Sequence, residues 1–290
     1  MKIVWIKGGL GNQMFQYAFY KSLEKKNENV KIDISSFKYY KKHNGFELQK
    51  IFDINYTESC LDEIKRLSRL DYKPTTKILR KINLFKKTEY LEKKPMEFDE
   101  DVFSQIDSDT YFIGYWQNEK YFKDVEDDIR KNYQFKSFLD EKNKKISESI
   151  VKENSVSIHV RRGDYISEGL YTDICNSSYY KKAINLIINK IEKPTFYVFS
   201  DDINWCIEEF TKYKDMYKFT FIDWNVKEKS YLDMQLMSLC GNNIIANSTF
   251  SWWAAWLNNK KNKIVVAPKE WINTKQKNKI DIIPKYWIKV

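Results

Sequence analysis

The chemistry of this sequence starts at two adjacent arginines, Arg161 and Arg162. A guanidinium carries permanent charge and a fork of donors that matches two phosphate oxygens, so a pair of them suits a diphosphate. They lie in SVSIHVRRGDY, residues 155–165, with His159 just before them and Asp164 just after. The chain has only two histidines, which draws attention to this one. Asp164 reads as a proton acceptor for a hydroxyl nucleophile, and equally as a turn carboxylate that orients Arg162. A second polar group is Ser200-Asp201-Asp202, at the end of FYVFSDD. An acid there suits the N–H edge of guanine or a ribose hydroxyl, and equally a cap before Ile203. The third is Asn247-Ser248-Thr249 with Ser251, ahead of the apolar run WWAAWL. A helix starting there would offer N–H groups and hydroxyls to an anion, or would simply be N-capped.

These residues need strands to carry them. Val156, Ile158 and Val160 alternate with Ser157, His159 and Arg161, the period of a strand. The pattern then predicts a helix over 178–191, a strand over 195–200, a helix over 203–210 and a strand over 218–222. A helix over 229–240, a strand over 243–246, a helix over 250–257 and a strand over 263–267 follow. Such alternation predicts a parallel sheet covered on both faces. All three polar groups then fall at carboxyl ends of strands, the edge at which open α/β sheets bind ligands. Their convergence on one edge is more specific than any one of them.

The first half opens in the same way. Residues 2–7 read as a strand, 8–13 (GGLGNQ) as a glycine-rich turn, 14–26 as a helix and 30–34 as a strand. After Gly9-x-Gly11 a dinucleotide fingerprint needs a third glycine where Met14 stands, and a P-loop needs Gly-Lys-Ser/Thr where Gly11-Asn12-Gln13 stands. What remains is a tight turn that lets a ligand approach the backbone, or one required by geometry alone. Further on, 59–70 and 76–84 read as helices and 111–115 as a strand. His43 reads as part of a turn. Asp107-Ser108-Asp109 mimics a metal-holding D-x-D, but it precedes a strand, the wrong end for a ligand, and reads as a turn. A lysine-rich helix over 138–152 separates the two halves. Trp271 and Trp287 in the tail would pack back across the domains.

Composition limits the alternatives. The chain has 290 residues, 42% of them hydrophobic and 16% aromatic, enough for two globular domains. The formal charge of +10 fits nucleic acid, an anionic nucleotide ligand or an anionic membrane face. Dispersed lysines without a zinc-finger or RNP-like motif argue against nucleic acid, and a basic binding protein gives no reason for three clusters at strand ends. Cys60, Cys175, Cys206 and Cys240 are too far apart in sequence for a C-x-x-C zinc site and read as reduced thiols of a cytosolic protein. No signal peptide and no transmembrane run of about 18 apolar residues is expected. Tyr39, Tyr40, Tyr115 and Trp116 could stack on sugar rings, or be core.

With these residues assembled, the sequence resembles the bacterial α-1,2-fucosyltransferases of glycosyltransferase family 11. The matching segments are GGLGNQMFQYA (8–18), HVRRGDY (159–165), FSDD (199–202) and NSTFSWWAAWL (247–257). The resemblance implies a GT-B type α/β fold, with two Rossmann-like domains whose parallel sheets face a central cleft. It implies an acceptor-side domain over 1–137 and a GDP-fucose-binding domain over 138–290. It also implies inverting transfer of L-fucose from GDP-L-fucose to the 2-OH of a terminal galactose, with no metal. A transferase of the same fold making another linkage, or using another nucleotide sugar, is the alternative. Carried onto this sequence, Arg161 would meet the β-phosphate, with Arg162 as partner or support. His159, Ser200 and Asp201 would lie on the nucleotide side, and Asn247, Ser248, Thr249 and Ser251 at the phosphate. Asn12, behind Gly9 and Gly11, would face the fucose or the acceptor. The expected setting is cytoplasmic, peripheral at an anionic membrane face, where a glycan acceptor would be met.

Overall fold

A computed structural model describes residues 1–39, 43–69, 85–163, 169–273 and 280–290, apart from the side chains of 105–107. Asp164, Tyr40 and the helix expected over 76–84 lie outside the described residues. The chain divides into two compact units, Met1–Gln134 and Phe135–Val290.

The first unit is built on a four-stranded parallel sheet of β1 (Lys2–Trp5), β2 (Val30–Asp33), β3 (Glu89–Leu91) and β4 (Thr110–Ile113), in the order β2-β1-β4-β3. Helix α1 (Leu10–Lys26) follows β1, and α2 (Leu48–Ile51), α3 (Leu61–Leu67) and α4 (Glu126–Asn132) complete the regular elements used here. Helix α1 begins at Leu10, so Gly11, Asn12 and Gln13 are helical and the glycine turn is only Gly8-Gly9. Its side chains are buried nearly all round, as a helix enclosed by its own unit requires. Phe19 stacks on Trp116 with centroids 4.4 Å apart. Trp116 is therefore core, which removes it from the sugar-stacking candidates. Tyr39 and Tyr115 are exposed.

The second unit carries six parallel strands. They are β5 (Ser155–Val160), β6 (Thr195–Ser200), β7 (Lys218–Ile222), β8 (Asn242–Ile244), β9 (Val265–Ala267) and β10 (Ile288–Lys289), in the order β10-β9-β8-β5-β6-β7. The helices are α5 (Glu141–Lys152), α6 (Ser177–Ile188), α7 (Ile203–Phe210), α8 (Tyr231–Leu239) and α9 (Thr249–Leu257). Helix α9 buries Trp252, Trp253 and Trp256 together. The tail stays on this unit: β10 pairs with β9, and Trp287 packs 5.5 Å from Trp252, ring to ring.

The second sheet has one position where the chain reverses its direction of winding, between β5 and β8. Loops leaving such neighbours diverge to opposite faces and open a crevice at the carboxyl edge. Gly8-Gly9 and Gly114 follow β1 and β4, and Arg161 and Asn247 lie just beyond β5 and β8. Among the described residues no helix is long and apolar enough to cross a membrane.

Candidate functional site

The site in the second unit is set by strand register. Val160 pairs with Ser200, so Arg161 and Asp201 leave the sheet side by side. The Asp201 carboxylate then organises the loop after β5. Its Oδ2 lies 2.9 Å from Arg161 Nη1, its Oδ1 accepts from the Arg162 N–H at 2.9 Å, and Oδ2 accepts from the Gly163 N–H at 3.2 Å. A Cβ on Gly163 would come within 2.8 Å of Oδ2, so any larger residue here would push the Asp201 carboxylate aside. Asp201, expected at the nucleotide, has its oxygens turned onto its own neighbours.

Arg162 is held from two sides. Its Nε lies 3.0 Å from Asp202 Oδ2, and its guanidinium stacks 4.4 Å above the Trp205 ring. Asp202 is also the N-cap of α7, accepting from the Trp205 N–H. The Ser200 hydroxyl oxygen accepts from the Asp202 N–H at 2.9 Å, which ties it to the cap. Arg162 is thus held in place, and both arginines, each about one-third exposed, line a cavity of about 250 Å³. Trp205, Thr172, Asn176 and Asn247 share that cavity. A larger cavity of about 610 Å³ lies at edge strand β7 and is lined by none of the expected residues.

His159 is buried on β5, packed 5.7 Å from the Phe250 ring. Burial, helped by the Arg161 charge, pulls its pKa from 6.5 to about 3, so the imidazole is neutral at pH 7. Its Nδ1 has no hydrogen-bond partner. A buried, unmet polar atom beside a cation at a strand end is where a ligand group would be accommodated.

The start of α9 divides its expected residues. Ser248 caps the helix, accepting from the Phe250 N–H at 3.3 Å. Ser251 is buried, and its hydroxyl donates to the carbonyls of Ala246 and Ser248 of its own backbone. Asn247 donates to the carbonyls of Tyr171 and Trp271, tying two loops at the cavity wall. Thr249, in the first turn, is half-buried.

One acid at this edge escaped the sequence reading. Asp233, in the first turn of α8 beyond β7, accepts from Asn225 Nδ2 at 2.8 Å. Burial raises its pKa from 3.8 to about 7. Asn225 is locked in turn to Asn143, which also accepts from Trp224 Nε1. The signal was present: one acid set among Tyr231, Leu232, Met234 and Leu236.

In the first unit the glycine turn serves the protein's own side chains. Gly8 has φ +81°, and a Cβ there would meet the Asn12 amide at 2.9 Å. A Cβ on Gly9 would come to 3.4 Å from the His43 ring. Asn12 Oδ1 accepts from Gln117 Nε2 at 2.8 Å. Gly11 is buried in the first turn of α1. Gln13 donates to the carbonyls of Gly8 and Gly45 and accepts from the Glu47 N–H. Gln16 accepts from the Lys7 N–H and donates to the Gly114 carbonyl. Gln16 therefore stitches together the loops after β1 and β4, and Gln13 the loop after β1 and the turn at 45–47. Asp109 pairs with the N-terminal amine and with Arg66, as a turn residue at the amino end of β4. Among the described residues, no group of three His, Cys, Asp or Glu side chains is placed to hold a metal ion.

An α-1,2-colitosyltransferase of Escherichia coli is 36% identical over 93% of this chain and 92% of its own. The O-antigen biosynthesis glycosyltransferase WbnK of Escherichia coli is 32% identical over 92% of this chain and 93% of its own. The solved fucosyltransferase NodZ from Bradyrhizobium superposes with a TM-score of 0.50 at 14% identity, over 88% of this chain and 91% of that one. That likeness and the two parallel sheets give a GT-B type α/β fold. The chain is a glycosyltransferase: residues 1–290 match the model of Glycosyl transferase family 11, and it belongs to that family.

Proposed function

We propose that this enzyme transfers L-fucose from GDP-L-fucose to the 2-OH of a terminal galactose, with inversion and without a metal. The observation that carries the reading is the fixed Arg161–Asp201 pair at the switch point of the second sheet. A diphosphate leaving group gains charge as the sugar departs, and a preorganised guanidinium there can neutralise it. Arg162 keeps the loop in place through Asp202 and Trp205. The neutral His159 and the protonatable Asp233 supply polar contacts for the nucleotide, and the α9 N-terminus favours phosphate. The acceptor is a galactose-containing surface glycan, met at the cytoplasmic membrane face.

A second reading keeps the linkage and exchanges the sugar for colitose. It is favoured by the relative named an α-1,2-colitosyltransferase, at 36% identity. Both readings are tested by incubating the enzyme with GDP-L-fucose or GDP-colitose, a panel of β-galactosides and excess EDTA, and determining the linkage by NMR. The expected result is a 1,2-linked fucoside that forms equally well in EDTA. Turnover of GDP-colitose alone selects the second reading. A product of other linkage, or abolition by EDTA, overturns both.

A further inference from the structure

Within the second unit, Asp233 ends a chain of buried side-chain bonds that starts on another helix. Asn143, in the first turn of α5, and Asn225, in the loop after β7, are both buried. They form a reciprocal amide pair. Asn143 Nδ2 donates to Asn225 Oδ1 at 2.8 Å, and Asn225 Nδ2 donates to Asn143 Oδ1 at 2.9 Å. Asn225 Nδ2 also donates to Asp233 Oδ1 at 2.8 Å. Asp233 stands at the sheet edge that also carries Arg161, the edge at which such a sheet binds ligand.

The ends of this chain dictate the direction of every bond in it. Trp224 Nε1 can only donate, and Asn143 Oδ1 accepts from it at 3.0 Å. Lys142 covers the Trp224 ring, 3.6 Å from its centre. Asp140, the N-cap of α5, accepts from Asn143 Nδ2 at 2.9 Å. The Asn143 backbone N–H and amide together hold the Asp140 carboxyl below the usual carboxylate range, so it can only accept. Asn143 therefore has one amide orientation, with two bonds to its oxygen and two from its nitrogen, its full capacity. Asn225 must then turn Nδ2 toward Asp233. That hydrogen needs an acceptor, so Asp233 Oδ1 is spent on it, and any proton on this acid sits on Oδ2. Among the described residues none bonds Oδ2.

We propose that Asn143 and Asn225 are positioning residues for donor binding, which fix the Asp233 carboxyl so that Oδ2 is the atom that meets the nucleotide; this rests on the nucleotide contact proposed for Asp233 above. Neither amide touches the nucleotide, since the bonding capacity of both is used within the chain. Each acts through the acid. Strand β6 lies between β5, which carries Arg161, and β7, so the Asp233 contact is remote from the diphosphate. A remote contact holds substrate and transition state alike. Its loss raises KM and leaves kcat.

The test measures GDP affinity by calorimetry, and KM and kcat for the donor, at about pH 8, where Asp233 is mostly ionised. The variants are Asn143→Ala, Asn225→Ala, Asp233→Asn, and each asparagine variant combined with Asp233→Asn. Each single variant should weaken GDP binding and raise KM by about 10-fold, with kcat within about threefold of wild type. Added to Asp233→Asn, neither asparagine variant should cause a further loss, the signature of residues that act through one group. A merely structural loss would add. Asn225 lies in a loop, so Asn225→Ala carries the test if Asn143→Ala does not fold. Additive losses overturn the proposal. So does full GDP affinity in folded Asn225→Ala, or a loss confined to kcat. Wild-type affinity in Asp233→Asn overturns it together with the contact it rests on. The transfer reading fails differently: the wild-type enzyme itself then makes no product from either guanosine diphosphosugar.

Discussion

Arg161 and Asp201 stand side by side at the ends of paired strands, Nη1 to Oδ2 at 2.9 Å. The same carboxylate also accepts the N–H groups of Arg162 and Gly163. One side chain therefore sets both the direction of the Arg161 guanidinium and the path of the loop that follows it. The pair is partly exposed, so its worth lies in orientation more than in stability.

Arg161→Ala should leave the fold intact and lower turnover at least ~100-fold, the cost of losing one preorganised donor. Arg161→Lys should recover little, since an ammonium cannot reproduce the fork. Gly163→Ala should also lower turnover, by ~10- to 100-fold, because its methyl displaces the carboxylate that aims Arg161. Steady-state kinetics beside circular dichroism checks all three. A fully active Gly163→Ala would show that Asp201 does not position the arginine.

His159 and Asp233 give stability opposite slopes with pH. His159 has a folded pKa of about 3 against 6.5 unfolded. Its contribution is full above pH 6.5 and is lost as pH falls from there toward 3. Asp233 has a folded pKa of about 7 against 3.8 unfolded. Its contribution is full below pH 3.8 and is lost as pH rises toward 7. Each slope is at most about 1.4 kcal/mol per pH unit. On acidification from about pH 6.5 to 4.5, His159→Asn should lose less melting temperature than wild type, and Asp233→Asn more. Parallel melting curves for all three proteins would contradict the burial of both groups.

Gln13 is fully buried and serves three backbone partners from two loops. Gln13→Leu strands two carbonyls and one N–H. It should cost about 2–4 kcal/mol of unfolding free energy in urea. A cost below about 0.5 kcal/mol would mean that water satisfies these groups.

Much of the second sheet could be read in advance. The expected bounds of β6, α7 and β7 match the structure, because apolar periodicity there is uninterrupted and ends at polar caps. The three-residue strand β3 was not anticipated, since Glu89-Tyr90-Leu91 is too short to show a period. Helix α1 was placed four residues late, because Gly11 and Asn12 look like turn residues. The same turns of the helix carry Gln13 and Gln16, whose side chains bond to distant loops, and no local preference encodes these contacts.

The sequence by itself determined the alternation of strands and helices and the family's motifs. It also determined that the arginine pair would stand at a strand's carboxyl end, because period and chain order decide these. The tertiary structure decided what each polar side chain at those ends faces. It turned Asp201 onto the arginine loop, spent the Ser251 hydroxyl on its own backbone, and brought Asp233 to the same sheet edge. It also placed His43 over Gly9, 34 residues away in sequence. The reason is physical: spacing fixes the side of a strand or helix on which a residue stands. Which neighbour it meets depends on strand order and on loops packed from elsewhere in the chain.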